Sequence, residues 1–307
     1  MKNEKIFITG GAGFLGKNLV KKLHGDNEIT VYSRDESKHY YMKKDYPNVN
    51  FVIGDVRDRD FLIRKSRGHT AGIFAASLKQ IDGAFNSRIS AEENNFKSAC
   101  FISTDKSRAA TTLYGAMKFV AGEGFIAGKS NCKLTSAIYG NVMGSTGSII
   151  PLMLASIRRG RELSLYGANM TRFLLSVGDA IELVMKSVNY QGCNIIPVAK
   201  SFKVLDLFEI YKERFGLQYR VTLPRVGEKI HEIMASEEEL RRMEYIKQDE
   251  IYLLHPKKDT EAIKFAGNEY SSKDCCLSKD ELLGYLRERD FFIEKDMQKY
   301  YHYRRTL

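Results

Sequence analysis

Within ISTDKSRAATTLYGAMK, residues 102–118, Thr104, Asp105 and Lys106 stand in a row, and Tyr114 is followed four positions later by Lys118. On a helix that separation puts two side chains on one face. An ammonium beside a phenol favours the phenolate, which can take a proton from an alcohol while hydride leaves for a nicotinamide. Spacing alone proves little, since Tyr40 and Lys44 match it as well. Tyr114 is set apart by its place, on an expected helix one loop beyond the fifth expected strand. Alcohol oxidation needs no further acid or base. Eliminating water beside the new ketone needs both: a base for the acidified C–H and an acid for the departing hydroxyl. Asp105 and Lys106 are two such groups. The competing reading is a polar strand end in which Asp105 caps the following helix.

The elements around these residues follow from the pattern of the first 140 positions. Short apolar runs (KIFIT, EITVYS, VNFVIGD, GIFAAS, ACFIST, LTSAIYG) alternate with amphipathic or polar segments. That predicts an α/β fold, a doubly wound parallel sheet with right-handed crossovers and ligands at the carboxyl ends of its strands. TGGAGFLG falls after the first strand and at the mouth of a helix. Gly10 permits a tight turn, Gly13 lets backbone approach a pyrophosphate, and Gly16 lets the helix pack on the strand, with Phe14 and Leu15 at the helix mouth. Gly11–Lys17 also reads G-x-x-x-x-G-K, but Asn18 follows where a triphosphatase loop needs Ser or Thr for magnesium. A dinucleotide is therefore the expected cofactor.

The end of the second strand bears on which dinucleotide. In VYSRDESK the usual acidic position is Ser33, followed by Arg34 and Lys38. A guanidinium and an ammonium suit a 2′-phosphate, so NADP is expected over NAD, although NAD stays possible; the plain alternative is a polar strand-to-helix loop. Asp55 and Val56 in GDVRD are candidates for the adenine edge, and Ala75 and Ala76 give the small residues a cofactor needs beside the fourth strand.

Composition limits the partners. A chain of 307 residues, 43% apolar and 11% aromatic, can bury a large core as one big or two intimate domains. Its charge of +10 is spread in pairs such as Lys21-Lys22 and Arg241-Arg242 without a dense stripe. Nucleic acid is not an expected partner; the surplus reads as solvated surface with a few phosphate contacts. No C-x-x-C or H-x-x-x-H occurs, so no metal site is expected, and the five cysteines read as reduced thiols. With no leader-like start and no apolar run near about eighteen residues, a cytoplasmic protein without membrane insertion is expected.

Taken in order, TGGAGFLG, VYSRDESK, IGDVRD, AASLK, STDK, LYGAMK, YGNVMGSTGSIIP, MTRFLLS and RVGEKIHE resemble the NADP-dependent UDP-N-acetylglucosamine 4,6-dehydratases. These are polysaccharide-biosynthesis members of the extended short-chain dehydrogenase/reductase superfamily. The resemblance implies a Rossmann domain at 1–142 with about 175–200, and a smaller C-terminal substrate-binding domain at 143–174 and 201–307. It implies that Tyr114 and Lys118 handle oxidation at carbon 4, Lys106 is the base at carbon 5, Asp105 the acid at carbon 6, and that Thr104 orients the 4-hydroxyl. Lys79 of AASLK joins the cofactor set. Asn141, Ser148 and Pro151 would meet a nucleotide-sugar diphosphate, Arg172 would clamp it, and Arg225 and Glu228 would hold the nucleotide. Val226 stands where the family has proline, a loss of loop stiffness, and His231 is expected to cap or pack. Residues 257–307 carry no motif of the family and read as an amphipathic oligomer or domain contact, with a homo-oligomer expected.

Against the family the chain is shorter by roughly fifteen residues near Gln80–Phe85, where a crossover normally takes at least ~10–12. Either a loop is omitted from the sequence, or a true deletion leaves too little chain for a full crossover helix and strips one wall from the pocket. A 4-epimerase, which would need no Asp105-Lys106 pair, and an NADP-sensing protein without catalysis are the competing functions.

Overall fold

The computed structural model describes residues 1–76, 81–260, 263, 265 and 267–292. The chain forms two compact units: Met1–Gly140 with Val177–Val198 and Ile233–Tyr270, and Asn141–Ser176 with Ala199–Glu232 and the chain from Ser271 onward.

The first unit opens with β1 (Lys5–Thr9), α1 (Phe14–Leu23), β2 (Glu28–Ser33), α2 (Glu36–Asp45), β3 (Asn50–Ile53), α3 (Arg59–Ser66), β4 (Ala71–Phe74), α4 (Asp82–Glu93) and β5 (Ser98–Ile102). A single 3-10 turn, Asp105–Ser107, then precedes α5 (Leu113–Ile126) and β6 (Lys133–Ala137). The second unit begins with α6 (Ile149–Arg158), β7 (Leu163–Tyr166) and β8 (Thr171–Leu174), after which α7 (Val177–Ser187) and β9 (Cys193–Pro197) return to the first. β10 (Lys200–Lys203), α8 (Val204–Phe215) and β11 (Tyr219–Thr222) belong to the second unit, and β12 (Ile233–Ala235), α9 (Glu237–Leu240), β13 (Met243–Ile246) and β14 (Ile251–Leu254) to the first. α10 (Lys279–Glu288) lies in the second.

The first unit is built on a nine-stranded sheet in the order β13-β14-β9-β6-β5-β4-β1-β2-β3. From β9 to β3 every neighbour is parallel, while β14 and β13 add antiparallel at the far edge. In β1, Ile6 pairs with Ile29 on one side and Ala71 on the other. Ile6, Phe7 and Ile8 are all 0% exposed, so KIFIT is an unbroken apolar run because helices cover both of its faces. The strand order reverses between β1 and β4, the switch point where such sheets leave a crevice for ligands.

Two expectations are corrected. Residues 233–270 join the first unit rather than the substrate-binding one, because β14 pairs with β9 and extends the sheet. The connection from β4 to β5 also holds a complete helix, α4, of 12 residues. The crossover helix is therefore whole; residues 77–80 before it, Gln80 among them, lie outside the described residues.

The second unit has its own core. Met143, Ile150, Met153 and Leu165 pack with Phe202, Leu207, Phe208 and Tyr211 and with Leu282 and Leu286 of α10. β8 pairs antiparallel with β10, and β7 parallel with β11.

Candidate active site

The loop after β1 is shaped by what a side chain would hit. Gly10 has φ +67°, and a Cβ there would stand 2.8 Å from the Ala75 carbonyl and the Ala76 nitrogen at the end of β4. A Cβ on Gly16 would meet Gly10 O at 2.6 Å, so α1 sits directly on the loop. Beside this helix mouth lies a cavity of about 780 Å³, lined by Gly10, Gly13, Phe14, Leu15, Gly16, Ser33, Arg34, Lys38, Asp55, Val56, Ala75 and Ala76. Those are the residues the sequence nominates for the cofactor, apart from Tyr114 and Lys118, which stand elsewhere, and Lys79, which lies outside the described residues. A glycine cradle that any Cβ would fill, at a helix N-terminus, fits the pyrophosphate of a dinucleotide.

Ala12, Tyr32 and Asp35 also line the cavity, and sequence reasoning misses them; Gly54, the first residue of the GDVRD loop, lines it too. A Cβ on Gly54 would lie 2.4 Å from the Tyr32 ring, whose hydroxyl donates to the Asp55 carbonyl at 2.9 Å. Tyr32 thus seats the 54–56 loop. Burial, with Asp58 and Asp55 nearby, pushes its phenol well above the ordinary range.

Charge gathers where β2 ends. Asp35 caps α2 by accepting from the Lys38 amide at 3.0 Å, and its other oxygen pairs with Lys38 Nζ at 2.5 Å. Arg34 lies 3.7 Å from Asp55, which also takes Arg57 at 2.5 Å. The bond to Arg57, with Arg34 adding its field, holds the Asp55 carboxyl below the usual carboxylate range. Lys17 belongs to the same group: burial first, then repulsion from Lys38, lowers its pKa. Four cations and two carboxylates therefore gather near the end of β2, where the Ser33 hydroxyl bonds His39 Nε2 at 2.6 Å.

Past β5 the chain makes the Asp105–Ser107 turn. The Asp105 amide donates to the Tyr139 carbonyl at 3.0 Å, the Arg108 amide closes the turn on the Asp105 carbonyl at 3.0 Å, and Ser107 Oγ donates to the Thr104 carbonyl at 2.6 Å. Asp105 is 0% exposed. Its Oδ1 accepts from Thr104 Oγ1 at 2.9 Å and from Lys106 Nζ at 3.1 Å. The three residues thus form one hydrogen-bonded group.

Thr112 caps α5 by accepting from the Gly115 amide at 3.2 Å, which starts the helix one residue before Tyr114. Tyr114 is half-buried in the first turn, and Lys118 is buried one turn later. Lys118 Nζ donates to the Ile102 carbonyl at 2.9 Å, at the end of β5, and lies 4.7 Å from the Phe101 ring centre. Burial lowers its pKa to about 8. The five catalytic candidates thus sit on one strand end, one turn and one helix of the first unit. Gly115, which sequence reasoning misses, lets them meet: a Cβ there would lie 2.1 Å from the Lys106 carbonyl oxygen. Its signal is the glycine next to the tyrosine in LYGAMK.

The remaining candidates belong to the second unit. Asn141 is exposed, Ser148 is the N-cap of α6, and Pro151 lies in its first turn. Arg172 is buried and heavily engaged: Nη1 donates to the Thr171 and Ile230 carbonyls at 2.8 and 3.2 Å, and Nη2 to Glu228 Oε1 at 3.2 Å. Its Nε is 3.6 Å from Glu232 Oε1. These bonds tie the 228–232 segment to β8 through Arg172. Arg225 stacks on Tyr166 at 3.9 Å, and His231 bonds Thr171 Oγ1 at 2.8 Å. Among the described residues no cluster of His, Cys, Asp and Glu could hold a metal, and no helix is long and apolar enough to cross a membrane.

Comparison with known proteins bears on the family and the fold. The family model described as Polysaccharide biosynthesis protein matches residues 6–255. A UDP-N-acetylglucosamine 4,6-dehydratase (inverting) of Campylobacter jejuni subsp. jejuni serotype O:2 is 34% identical over 268 residues, covering 78% of this chain and 80% of the relative. That alignment crosses positions this chain lacks. A UDP-glucose 4-epimerase of Rickettsia akari is 29% identical, over 78% of this chain and 80% of the relative. Among solved structures, Pen from Bacillus thuringiensis superposes with a TM-score of 0.86 at 22% identity, covering 95% of this chain and 99% of that one, a likeness of fold. The chain therefore belongs to the polysaccharide-biosynthesis family that includes the UDP-N-acetylglucosamine 4,6-dehydratases.

Proposed function

We propose that the protein is an NADP-dependent nucleotide-sugar 4,6-dehydratase that converts UDP-N-acetylglucosamine, or a close nucleotide-HexNAc, to a 4-keto-6-deoxy sugar. The observation that carries this reading is the Thr104-Asp105-Lys106 group beside Tyr114 and Lys118. Oxidation and reduction at carbon 4 alone would leave the aspartate and lysine without a task. The Asp35 cap is the structural role that a lone strand-end aspartate would have, but Asp105 instead turns its carboxylate to Thr104 and Lys106.

Tyr114 takes the proton of the 4-hydroxyl, supported by the Lys118 ammonium, and Thr104 orients that hydroxyl. A nicotinamide dinucleotide bound in the glycine cradle supplies the hydride acceptor for carbon 4 and the donor for carbon 6. Elimination then needs neutral Lys106 and protonated Asp105. The 3.1 Å contact between them lets one proton pass from the ammonium to the carboxylate, producing base and acid in a single transfer without net change of charge. Neutralising a pair with one partner fully buried also removes a desolvation penalty. Lys106 removes the carbon 5 proton and Asp105 protonates the leaving hydroxyl at carbon 6; once hydride has been returned to carbon 6, the Lys106 ammonium gives a proton back to carbon 5, completing the 4-keto-6-deoxy sugar. In the second unit, Asn141, Ser148, Pro151, Arg225 and Glu228 are proposed for the nucleotide diphosphate, with Arg172 bracing Glu228.

A 4-epimerase is the second reading, favoured by the Rickettsia akari relative. Mass spectrometry of a nucleotide-sugar panel before and after incubation separates the two: a dehydratase product loses one water, an epimerase product keeps its mass. The variant Lys106→Ala should bind substrate normally and lose about 10²-fold or more in dehydration, as removal of a general base does. Near-normal turnover would take Lys106 out of the mechanism, and binding of NADP without turnover of any sugar would favour a sensor.

A further inference from the structure

We infer that Arg108 is a positioning residue for the elimination half of the reaction, locking the Asp105–Ser107 turn to the helix that carries Tyr114 and Lys118. This rests on the dehydratase reading above. Arg108 is among the largest fully buried side chains of the protein, at 2% exposure. Its Nη1 donates to Glu239 Oε1 at 2.6 Å and its Nη2 to Glu123 Oε1 at 2.9 Å. Each partner is itself held. Glu239 uses its other oxygen to accept from the Ser236 amide at 3.0 Å, and Glu123 Oε1 also accepts from Asn194 at 3.0 Å. The guanidinium lies 5.3 Å from the Phe119 ring centre on α5. One cation thus ties together α5, α9 and, through Asn194, β9.

The backbone makes this anchor matter for chemistry. The Arg108 amide closes the turn on the Asp105 carbonyl, so the turn and the guanidinium belong to adjoining stretches of chain. Glu123 is on α5, the helix of Tyr114 and Lys118. The turn therefore meets α5 at two places, Lys106 against Gly115 and Arg108 against Glu123. Two fixed points on one helix set the register of Asp105 and Lys106 relative to Tyr114 and Lys118. A buried arginine held by two carboxylates is a costly arrangement for stability alone, which apolar side chains would supply as well. The side-chain contacts of Arg108 with Glu239, Glu123 and Phe119 tie the turn to its neighbours, so its role runs through the turn.

The test separates the two halves of the reaction. Wild type, Arg108→Met, Arg108→Lys and Glu239→Gln are given NADP and UDP-N-acetylglucosamine. Reduction of the bound nicotinamide reports oxidation at carbon 4, and release of the 4-keto-6-deoxy product reports elimination. Expected are near-normal KM and near-normal nicotinamide reduction in all variants, with product release down about 10²-fold in Arg108→Met and partly restored in Arg108→Lys, since small misplacements of acid and base suffice for such losses. Glu239→Gln should fall between, and with Arg108→Lys it serves if Arg108→Met does not fold. Folded variants in which both readouts fall by one factor, or in which neither falls, overturn the inference alone. A wild-type enzyme that releases no 4-keto product overturns the dehydratase reading and this inference with it.

Discussion

A Cβ at position 115 would lie 2.1 Å from the carbonyl oxygen of Lys106, so Gly115 lets α5 press its first turn against the Asp105–Ser107 turn. No side chain gives way in that contact, because the obstacle is backbone. Gly115→Ala must therefore move either the helix or the turn. The expected outcome is a stability loss of about 1–3 kcal/mol by denaturant unfolding, with kcat falling far more than KM changes. An unchanged kcat in a folded variant would show that the approach of turn and helix is not needed for turnover.

The cavity beside the mouth of α1 was largely legible in the sequence because its residues are local. Gly10 to Gly16, Ser33 to Lys38, Asp55-Val56 and Ala75-Ala76 each follow a strand, and their types are dictated by the turn each strand end makes. The anchor at Arg108 was not legible: Glu239 stands 131 residues away, and neither residue carries a pattern that points to the other. The same holds for Arg172. A sequence shows a guanidinium but not that Glu228 and Glu232 reach it first. Placing β14 beside β9 likewise depends on a pairing between segments whose periodicity says strand without saying which neighbour.

At the end of β2, Arg34 is 61% exposed in its side chain and loosely paired with Asp55 at 3.7 Å, so its charge is open to a competing anion. A 2′-phosphate would draw it from Asp55, with Lys38 and Lys17 behind it. Arg34→Ala should weaken NADP binding about tenfold or more while changing NAD little. Calorimetric titration with both dinucleotides checks this. Equal losses would mean that Arg34 only stacks on adenine.

Arg172 distinguishes a lock from a clamp. Removing it leaves Glu232, which is 4% exposed in its side chain, and Glu228 without their buried cation. Breaking a buried pair from one side costs about 3–5 kcal/mol, so Arg172→Ala should melt well below wild type without any ligand. A variant with wild-type melting but a much raised KM for nucleotide sugar would instead restore the diphosphate clamp.

Lys118 carries a prediction in pH. Burial lowers its pKa from 10.5 to about 8 in the folded chain. Between those values the unfolded chain holds the proton that the folded chain has released, so unfolding takes a proton up and stability rises with pH across that window. Below about 8 both states are protonated and the folded state bears the full penalty of a buried ammonium. Lys118→Met removes that penalty. The variant should be the more stable protein at pH 7, by roughly 3 kcal/mol from a shift of this size, and its advantage should shrink as pH rises toward 10.5. Activity should be lost all the same, because methionine offers no ammonium to support proton removal by Tyr114. Urea unfolding of both proteins at neutral and alkaline pH measures the difference directly; a difference that stays constant with pH would mean the Lys118 ammonium is not desolvated.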